Sequence, residues 1–311
     1  MKAVLPALAR PLIEPGLPSG IDAHWFASRE EAVAMIADAD IGWVDMRRPD
    51  WTGATAAAGV RLKWLSTIYA GIDAFDTALL RERGTILTNG VGINAIAVAE
   101  YAVMGILAAA KRFDLVVRAQ DAGEWLRDAP GKVELSGTRA LIIGYGTIGR
   151  MIGERLAAFG VEVTGVTRSG RDGTLTPDQW RDQIGTFDWI VLAAPSTDAT
   201  QAMFGAAEIA AMQPSAWLVN IARGDMVDQD ALVAALSARR IAGAFLDVTD
   251  PEPLPAEHPL WTAPNTMLSM HMSGRSQTKM FQRGVALFLE NARAFMDGAP
   301  MRNVVDLDAG Y

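Results

Sequence analysis

Two kinds of apolar spacing alternate along the chain. Short contiguous apolar runs near Lys2–Leu5, Ile41–Val44, Leu62–Thr67 and Thr85–Leu87 predict buried strands, and helical spacing over Arg29–Ala39 and Phe75–Arg83 predicts helices between them. Gly or Asp turn signals follow each helical stretch, so this part of the chain predicts a small parallel sheet with helices on its faces. Thr88-Asn89-Gly90-Val91-Gly92 interrupts the alternation. The most apolar run, residues 95–110, comes next, with Glu100 in its middle and Lys111-Arg112 at its end. A membrane span needs ~20 apolar residues, so this shorter run predicts a buried or interface helix.

A longer series follows. Strands are predicted at Ala140–Ile143, Val161–Val166, Trp189–Ala193, Trp217–Ile221, Ala242–Val248 and Thr266–Met270. Helices are predicted from Ile148 to Phe159 and over Pro177–Ile184, Ala206–Met212 and Asp228–Arg239. Such an order predicts an α/β fold containing a Rossmann-type doubly wound unit, whose strand ends aim their loops at one crevice. Pro251–Pro264 holds five prolines and reads as a rigid loop; a last helix, Gln277–Met296, is expected to pack back on the first domain.

The stretch Thr138–Gly149, TRALIIGYGTIG, places Gly144, Gly146 and Gly149 in a G-x-G-x-x-G frame between a strand and a helix. The first glycine permits the turn, the second lets a pyrophosphate approach the backbone, and the third lets helix and strand pack closely. Glycines also mark ordinary turns, but strand, turn and helix in this order favour a dinucleotide site that includes Thr147 and Ile148. Pro195 and Ile221, past later strands, are further expected cofactor contacts.

Composition narrows the chemistry. The formal net charge of −8 disfavours nucleic acid and anionic membrane as partners, and an anionic substrate then needs a local arginine. There is no cysteine, which excludes disulfides, thiolate nucleophiles and Cys-based metal sites. Neither an HExxH cluster nor a G-x-S-x-G elbow occurs, so no metal site and no hydrolase is expected. The opening MKAVLPALARPLIEPG reads as a first strand and loop, not a signal peptide, and a cytoplasmic location is expected.

Three residues just past predicted strands carry candidate chemistry: Arg223 after AWLVNIA, Glu252 after AFLDVTDP and His271 after NTMLSM. Each alone has an ordinary structural reading; together they follow successive strands of one sheet. A planar guanidinium grips a carboxylate and polarises a neighbouring carbonyl. An imidazole, with an unperturbed pKa near ~6.5, gives a proton to a developing alkoxide, and a paired carboxylate favours its charged form. These types fit hydride transfer to a 2-oxo acid. His24, beside Trp25-Phe26, and His258, inside the proline loop, fit less well.

Several stretches together resemble the D-isomer-specific 2-hydroxyacid dehydrogenases, a likeness running from about Leu62 to Gly274. They are TNGVGINAIAVAEYAV, ELSGTRALIIGYGTIGR, LVNIARGDMVDQDALVAAL, DVTDPEPLPAEHPLW and HMSG. The resemblance implies Arg223, Glu252 and His271 as catalytic residues and Asp247 near the nicotinamide amide. It implies that backbone N–H groups in Tyr69-Ala70-Gly71 hold the substrate carboxylate. It also implies a smaller flavodoxin-like substrate domain from both chain ends (1–93 with 275–311), a dinucleotide domain (94–274), and a homodimer through the 95–110 helix. Domain closure would exclude water, hinged near Gly90–Asn94 and Gly274–Thr278.

Two positions depart from that pattern. The residue ending the second strand of a dinucleotide fold is usually acidic, yet counting 18 past Gly149 gives Thr167, followed by Arg168 and Ser169. Glu162 comes too early on its strand to substitute. A guanidinium with two hydroxyls suits a 2′-phosphate, favouring NADP(H) over NAD(H); the competing reading is a solvent-facing Arg168 with NAD(H) bound regardless. Tyr69 stands where relatives usually have a small residue, either narrowing the substrate pocket or turning into the core. Met270 replaces a common proline before His271. The expected activity is NADPH-dependent reduction of a small 2-oxo acid of the glyoxylate or hydroxypyruvate kind. Its rivals are a reductase of bulkier acids such as phenylpyruvate and a nucleotide-sensing, corepressor-like regulator.

Overall fold

The computed structural model describes residues 1–46, 48–275 and 277–308, without the side chains of 277 and 278. Ser276, inside the second expected hinge, lies outside the described residues. Two compact units emerge, Met1–Asn94 with Ser276–Tyr311 and Ala95–Arg275.

The first unit is built on a parallel sheet of five strands: β1 (Lys2–Pro6), β2 (Asp22–Phe26), β3 (Ile41–Gly42), β4 (Trp64–Ser66) and β5 (Ile86–Thr88). Their order is β2-β1-β3-β4-β5. Strand β2 has no contiguous apolar run in the sequence because it is an edge strand, buried fully only at Phe26. Helix Pro49–Ala58 was also not legible, since its small residues give almost no apolar stripe. Its Gly53 is required by packing: a Cβ there would lie 2.0 Å from the Ala74 carbonyl oxygen. The helix expected over Phe75–Arg83 is shorter, Thr77–Glu82, and starts where the Asp76 side chain caps Leu79 N–H. Helix Gln277–Asp297 lays Phe288 on Trp64, ring centroids 5.0 Å apart, and near Trp43 at 5.3 Å.

The second unit is a six-stranded parallel sheet of β6 (Arg139–Ile143), β7 (Glu162–Val166), β8 (Trp189–Leu192), β9 (Trp217–Asn220), β10 (Gly243–Leu246) and β11 (Thr266–Leu268). The order β11-β10-β9-β8-β6-β7 reverses direction between β6 and β8. Ligands of open α/β sheets sit at such a reversal, beyond the strands' carboxyl ends. Separate apolar clusters cover the two faces, and helices Ala95–Lys111 and Thr147–Ala158 pack together over one of them. The expected helix Pro177–Ile184 is instead a turn, a bend at Trp180 and a 3₁₀ segment, Arg181–Thr186. Trp180, Ile184 and Phe187 are all drawn into the core, and their spacing suits a tight path as well as a helix. A further helix, Phe113–Asp121, follows a left-handed break at Arg112. Among the described residues, no helix is long and apolar enough to cross a membrane.

Candidate active site

Strand β6 ends at Ile143, and Gly144 turns the chain with φ +98°. A Cβ at Gly144 would stand 2.3 Å from Ala194 N, and one at Gly149 2.3 Å from the Gly144 carbonyl oxygen. Both glycines are therefore demanded by the protein's own packing. Gly146 differs: a Cβ there would meet nothing within 4 Å. The space it leaves lies at the start of helix Thr147–Ala158, whose first turn has no side-chain cap. Uncapped N–H groups beside an open glycine form a cradle that suits a pyrophosphate. Pro195 follows β8, with its carbonyl accepting from Thr200 Oγ1 at 2.8 Å, and Ile221 is buried just past β9.

Strand β7 ends at Val166, and Thr167, Arg168 and Ser169 follow it, the last two exposed. The Thr167 and Thr174 hydroxyls are 2.7 Å apart, and Arg171 Nε donates to Ser169 Oγ at 3.0 Å. Asp172, in the same loop, pairs with Arg150 at 3.2 Å. Glu162 starts β7 at the far end, near Arg139.

Arg223, Glu252 and His271 lie past β9, β10 and β11. Asn220, buried at the end of β9, donates to the Arg223 carbonyl (2.8 Å) and accepts from Ala222 N–H (3.0 Å), which sets the turn. A Cβ on Gly224 would be 2.0 Å from the Thr249 carbonyl carbon, so the Arg223 turn abuts the backbone leading to Glu252. Glu252 Oε1 accepts from Thr249 N–H (3.1 Å), and Oε2 lies 2.7 Å from His271 Nδ1. Burial alone would raise the Glu252 carboxyl; the hydrogen bonds from His271 and Thr249 and the charges of His271 and Arg223 outweigh it, holding the group below its ordinary value. With Nδ1 engaged, Nε2 is the ring atom left to meet a ligand.

The histidine turn is backbone-strained: Met270 and His271 have φ +53° and +54°. Buried Asp247 holds it there. Its Oδ1 accepts from Ser269 Oγ (2.7 Å), Met272 N–H (2.9 Å) and Ser273 N–H (3.3 Å), and its carbonyl accepts from His271 N–H (2.5 Å). Methionine in place of proline has a local reason here, since a pyrrolidine ring cannot reach positive φ. Asn220, Gly224 and Ser269 thus organise the trio without having signalled themselves in the sequence.

In the other unit, Tyr69 is 44% exposed, so its ring does not turn into the core. The Tyr69 carbonyl accepts from Gly90 N–H (2.8 Å) and the Ala70 carbonyl from Asn89 Nδ2 (3.0 Å). In a trans peptide the next N–H points opposite to the carbonyl, so the N–H groups of Ala70 and Gly71 face away from Asn89-Gly90. Among the described residues neither N–H has a backbone partner.

A glycine turn at the reversal of a parallel sheet, with a histidine–carboxylate pair past other strands of the same sheet, fits a dinucleotide-dependent enzyme. The family model described as D-isomer specific 2-hydroxyacid dehydrogenase, NAD binding domain, matches residues 103–273, and the chain belongs to that family. It is 32% identical over 289 residues to a glyoxylate reductase of Thermofilum pendens, covering 88% of this chain and 83% of that one. A D-isomer specific 2-hydroxyacid dehydrogenase family protein of Aeromonas salmonicida superposes with TM-score 0.87 at 28% identity, covering 99% of each chain. An NADPH-dependent glyoxylate/hydroxypyruvate reductase of Sinorhizobium meliloti, solved with citrate, gives 0.82 at 25% identity, with 98% of each covered. The chain spans about half the length (54% and 48%) of the two archaeal D-3-phosphoglycerate dehydrogenases that it matches. The protein is accordingly an oxidoreductase of the D-2-hydroxyacid dehydrogenase type.

Proposed function

We propose that the protein reduces a small 2-oxo acid of the glyoxylate or hydroxypyruvate kind to the D-2-hydroxy acid, with NADPH preferred. The observation that carries this reading is the Glu252–His271 pair at 2.7 Å on a turn beside Arg223. When bound, the nicotinamide cofactor supplies the hydride that reaches the keto carbon. Gly146, with the N–H groups of Thr147 and Ile148, would hold its pyrophosphate, on a turn whose path Gly144 and Gly149 permit. Arg223 orients the acid and draws charge onto the keto oxygen. His271 gives that oxygen a proton from Nε2, and Glu252 keeps the ring oriented and balances its positive charge. The N–H groups of Ala70 and Gly71 take the substrate carboxylate, and exposed Tyr69 limits the substituent beside it. In this reading Ala95–Arg275 is the cofactor domain and the other unit the substrate domain. The test is turnover of a panel of 2-oxo acids with NADPH and with NADH, followed by nicotinamide absorbance. A regulator would bind cofactor and turn over nothing.

The NADPH preference is supported by Thr167, Arg168 and Ser169, the three positions after β7, none of them a carboxylate that would repel a 2′-phosphate; Asp172 further along the loop pairs with Arg150. Arg168→Ala is expected to raise the NADPH KM about tenfold or more and to leave the NADH KM within about twofold. An unchanged NADPH KM, or a wild-type enzyme with higher kcat/KM for NADH, removes the preference.

The chain pairs with a second copy through helix Ala95–Lys111 and the segment after it. Exposed Met104 on that helix and exposed Phe113, Val117 and Trp125 (92% exposed) after it support this, because large exposed apolar side chains mark protein contact surfaces. Light scattering is expected to give twice the chain mass; a monomer at micromolar concentration would refute the pairing.

A further inference from the structure

Asp45, just past β3, plays no part in the mechanism above and carries no signal in the sequence. It nevertheless spends both carboxylate oxygens on the loop that leads to Ala70 and Gly71. Oδ1 accepts from the Thr67 hydroxyl (2.7 Å) and Oδ2 from Ile68 N–H (2.7 Å). Oδ2 also accepts from Trp43 Nε1 (2.7 Å), and the Trp43 ring is clamped by Phe288 and Phe281 of the last helix. The Thr67 oxygen in turn accepts from Tyr69 N–H at 3.2 Å. From the other side, Gly90 lets the backbones touch, since a Cβ there would stand 1.9 Å from the Ile68 carbonyl oxygen. The loop is therefore gripped between a carboxylate on one side and the Asn89 side-chain amide and Gly90 backbone on the other. Those contacts decide which way its next two peptide N–H groups point.

We propose that Asp45 is a positioning residue for substrate capture, fixing the 67–71 loop so that the N–H groups of Ala70 and Gly71 meet the carboxylate of the 2-oxo acid. The inference rests on the proposed function, which assigns those two N–H groups to the substrate. Keeping a carboxylate here is costly: burial pushes Asp45 up to about 6 even though the bonds from Thr67, Ile68 and Trp43 pull it down. A loop that needed only to be packed would be served by an apolar side chain. What the carboxylate adds is direction, because three donors converge on one rigid group.

The test compares Asp45→Leu with Asp45→Asn, measuring KM separately for the 2-oxo acid and for NADPH. Asparagine preserves the arrangement, its oxygen taking Ile68 N–H and Trp43 Nε1 and its amide donating to the Thr67 oxygen. Asp45→Leu is expected to raise the 2-oxo acid KM about tenfold or more with the NADPH KM within about twofold, and Asp45→Asn to restore it to within about threefold. An unchanged 2-oxo acid KM in Asp45→Leu overturns the proposal, as does an equal rise in both KM values. Should Asp45→Leu fail to fold, Thr67→Val carries the test; it removes the hydroxyl's bonds to Asp45 and to Tyr69 N–H but leaves Asp45 bonded to Ile68 N–H, and it must show the same split in smaller measure, whose absence overturns the proposal. A wild-type enzyme that turns over no 2-oxo acid speaks against the proposed function itself. Normal wild-type turnover with indifferent variants sinks only the role of Asp45.

Discussion

His271→Ala is expected to lower kcat for 2-oxo acid reduction by about a hundredfold to ten-thousandfold, with NADPH affinity kept within about twofold. The imidazole is the proton donor in the proposed mechanism, and water reaches the alkoxide without its alignment. The cofactor cradle lies instead on the turn after β6, so its affinity is expected to survive. Glu252→Gln separates the charge of the pair from its hydrogen bond. Reduction needs a proton from the ring, and the Glu252 carboxylate orients that ring through Nδ1. Glutamine retains an acceptor for Nδ1 but no charge to balance the ring, so kcat is expected to fall while the NADPH KM stays within about twofold. Turnover close to wild type in His271→Ala, measured with saturating NADPH, removes the residue from the chemistry.

Arg223→Ala is expected to lower kcat/KM for the 2-oxo acid by about a hundredfold to a thousandfold, the usual loss for one preorganised donor at a developing oxyanion. Both kcat and KM are expected to change, because in the proposed mechanism the guanidinium holds the bound acid and the charge that develops during the reaction. Arg223→Lys keeps the charge and loses the planar fork, so it is expected to recover only a small part of the loss. The turn that carries Arg223 is set by Asn220 and by the close approach of Gly224 to Thr249, and the guanidinium adds one bond within it, from Nη1 to the Ala222 carbonyl (2.8 Å). A folded variant is therefore expected, with an unchanged NADPH KM. A kcat/KM within about threefold of wild type excludes Arg223 from contact with the reacting group.

The sequence by itself determined the class of fold. Contiguous apolar runs such as Ala140–Ile143 and Trp217–Ile221 are legible because strands buried on both faces have no polar alternation to blur them. The glycine turn is legible because backbone geometry forces its residue type: side chains at Gly144 and Gly149 would overlap the chain itself. Three chemically apt residues after successive strands were legible too, since chain order alone places them at one end of a parallel sheet. Elements whose reason is not local were missed. The edge strand Asp22–Phe26 pairs on one side only with β1, and helix Pro49–Ala58 owes its Gly53 to a carbonyl 21 residues further on, at Ala74. The helix expected at Pro177–Ile184 failed because core burial of Trp180, Ile184 and Phe187 outweighed local propensity.

Only the tertiary structure decided how the site is held. Asp247 braces the strained turn under His271, and Asp45 grips the loop before Ala70; both partners lie more than twenty residues away in the chain. A carboxylate's reach is a few ångströms, whereas spacing along a sequence records neighbours only within one helix or strand. Orientation of side chains and peptide groups therefore becomes readable where distant segments have been brought together, and residue type alone does not carry it.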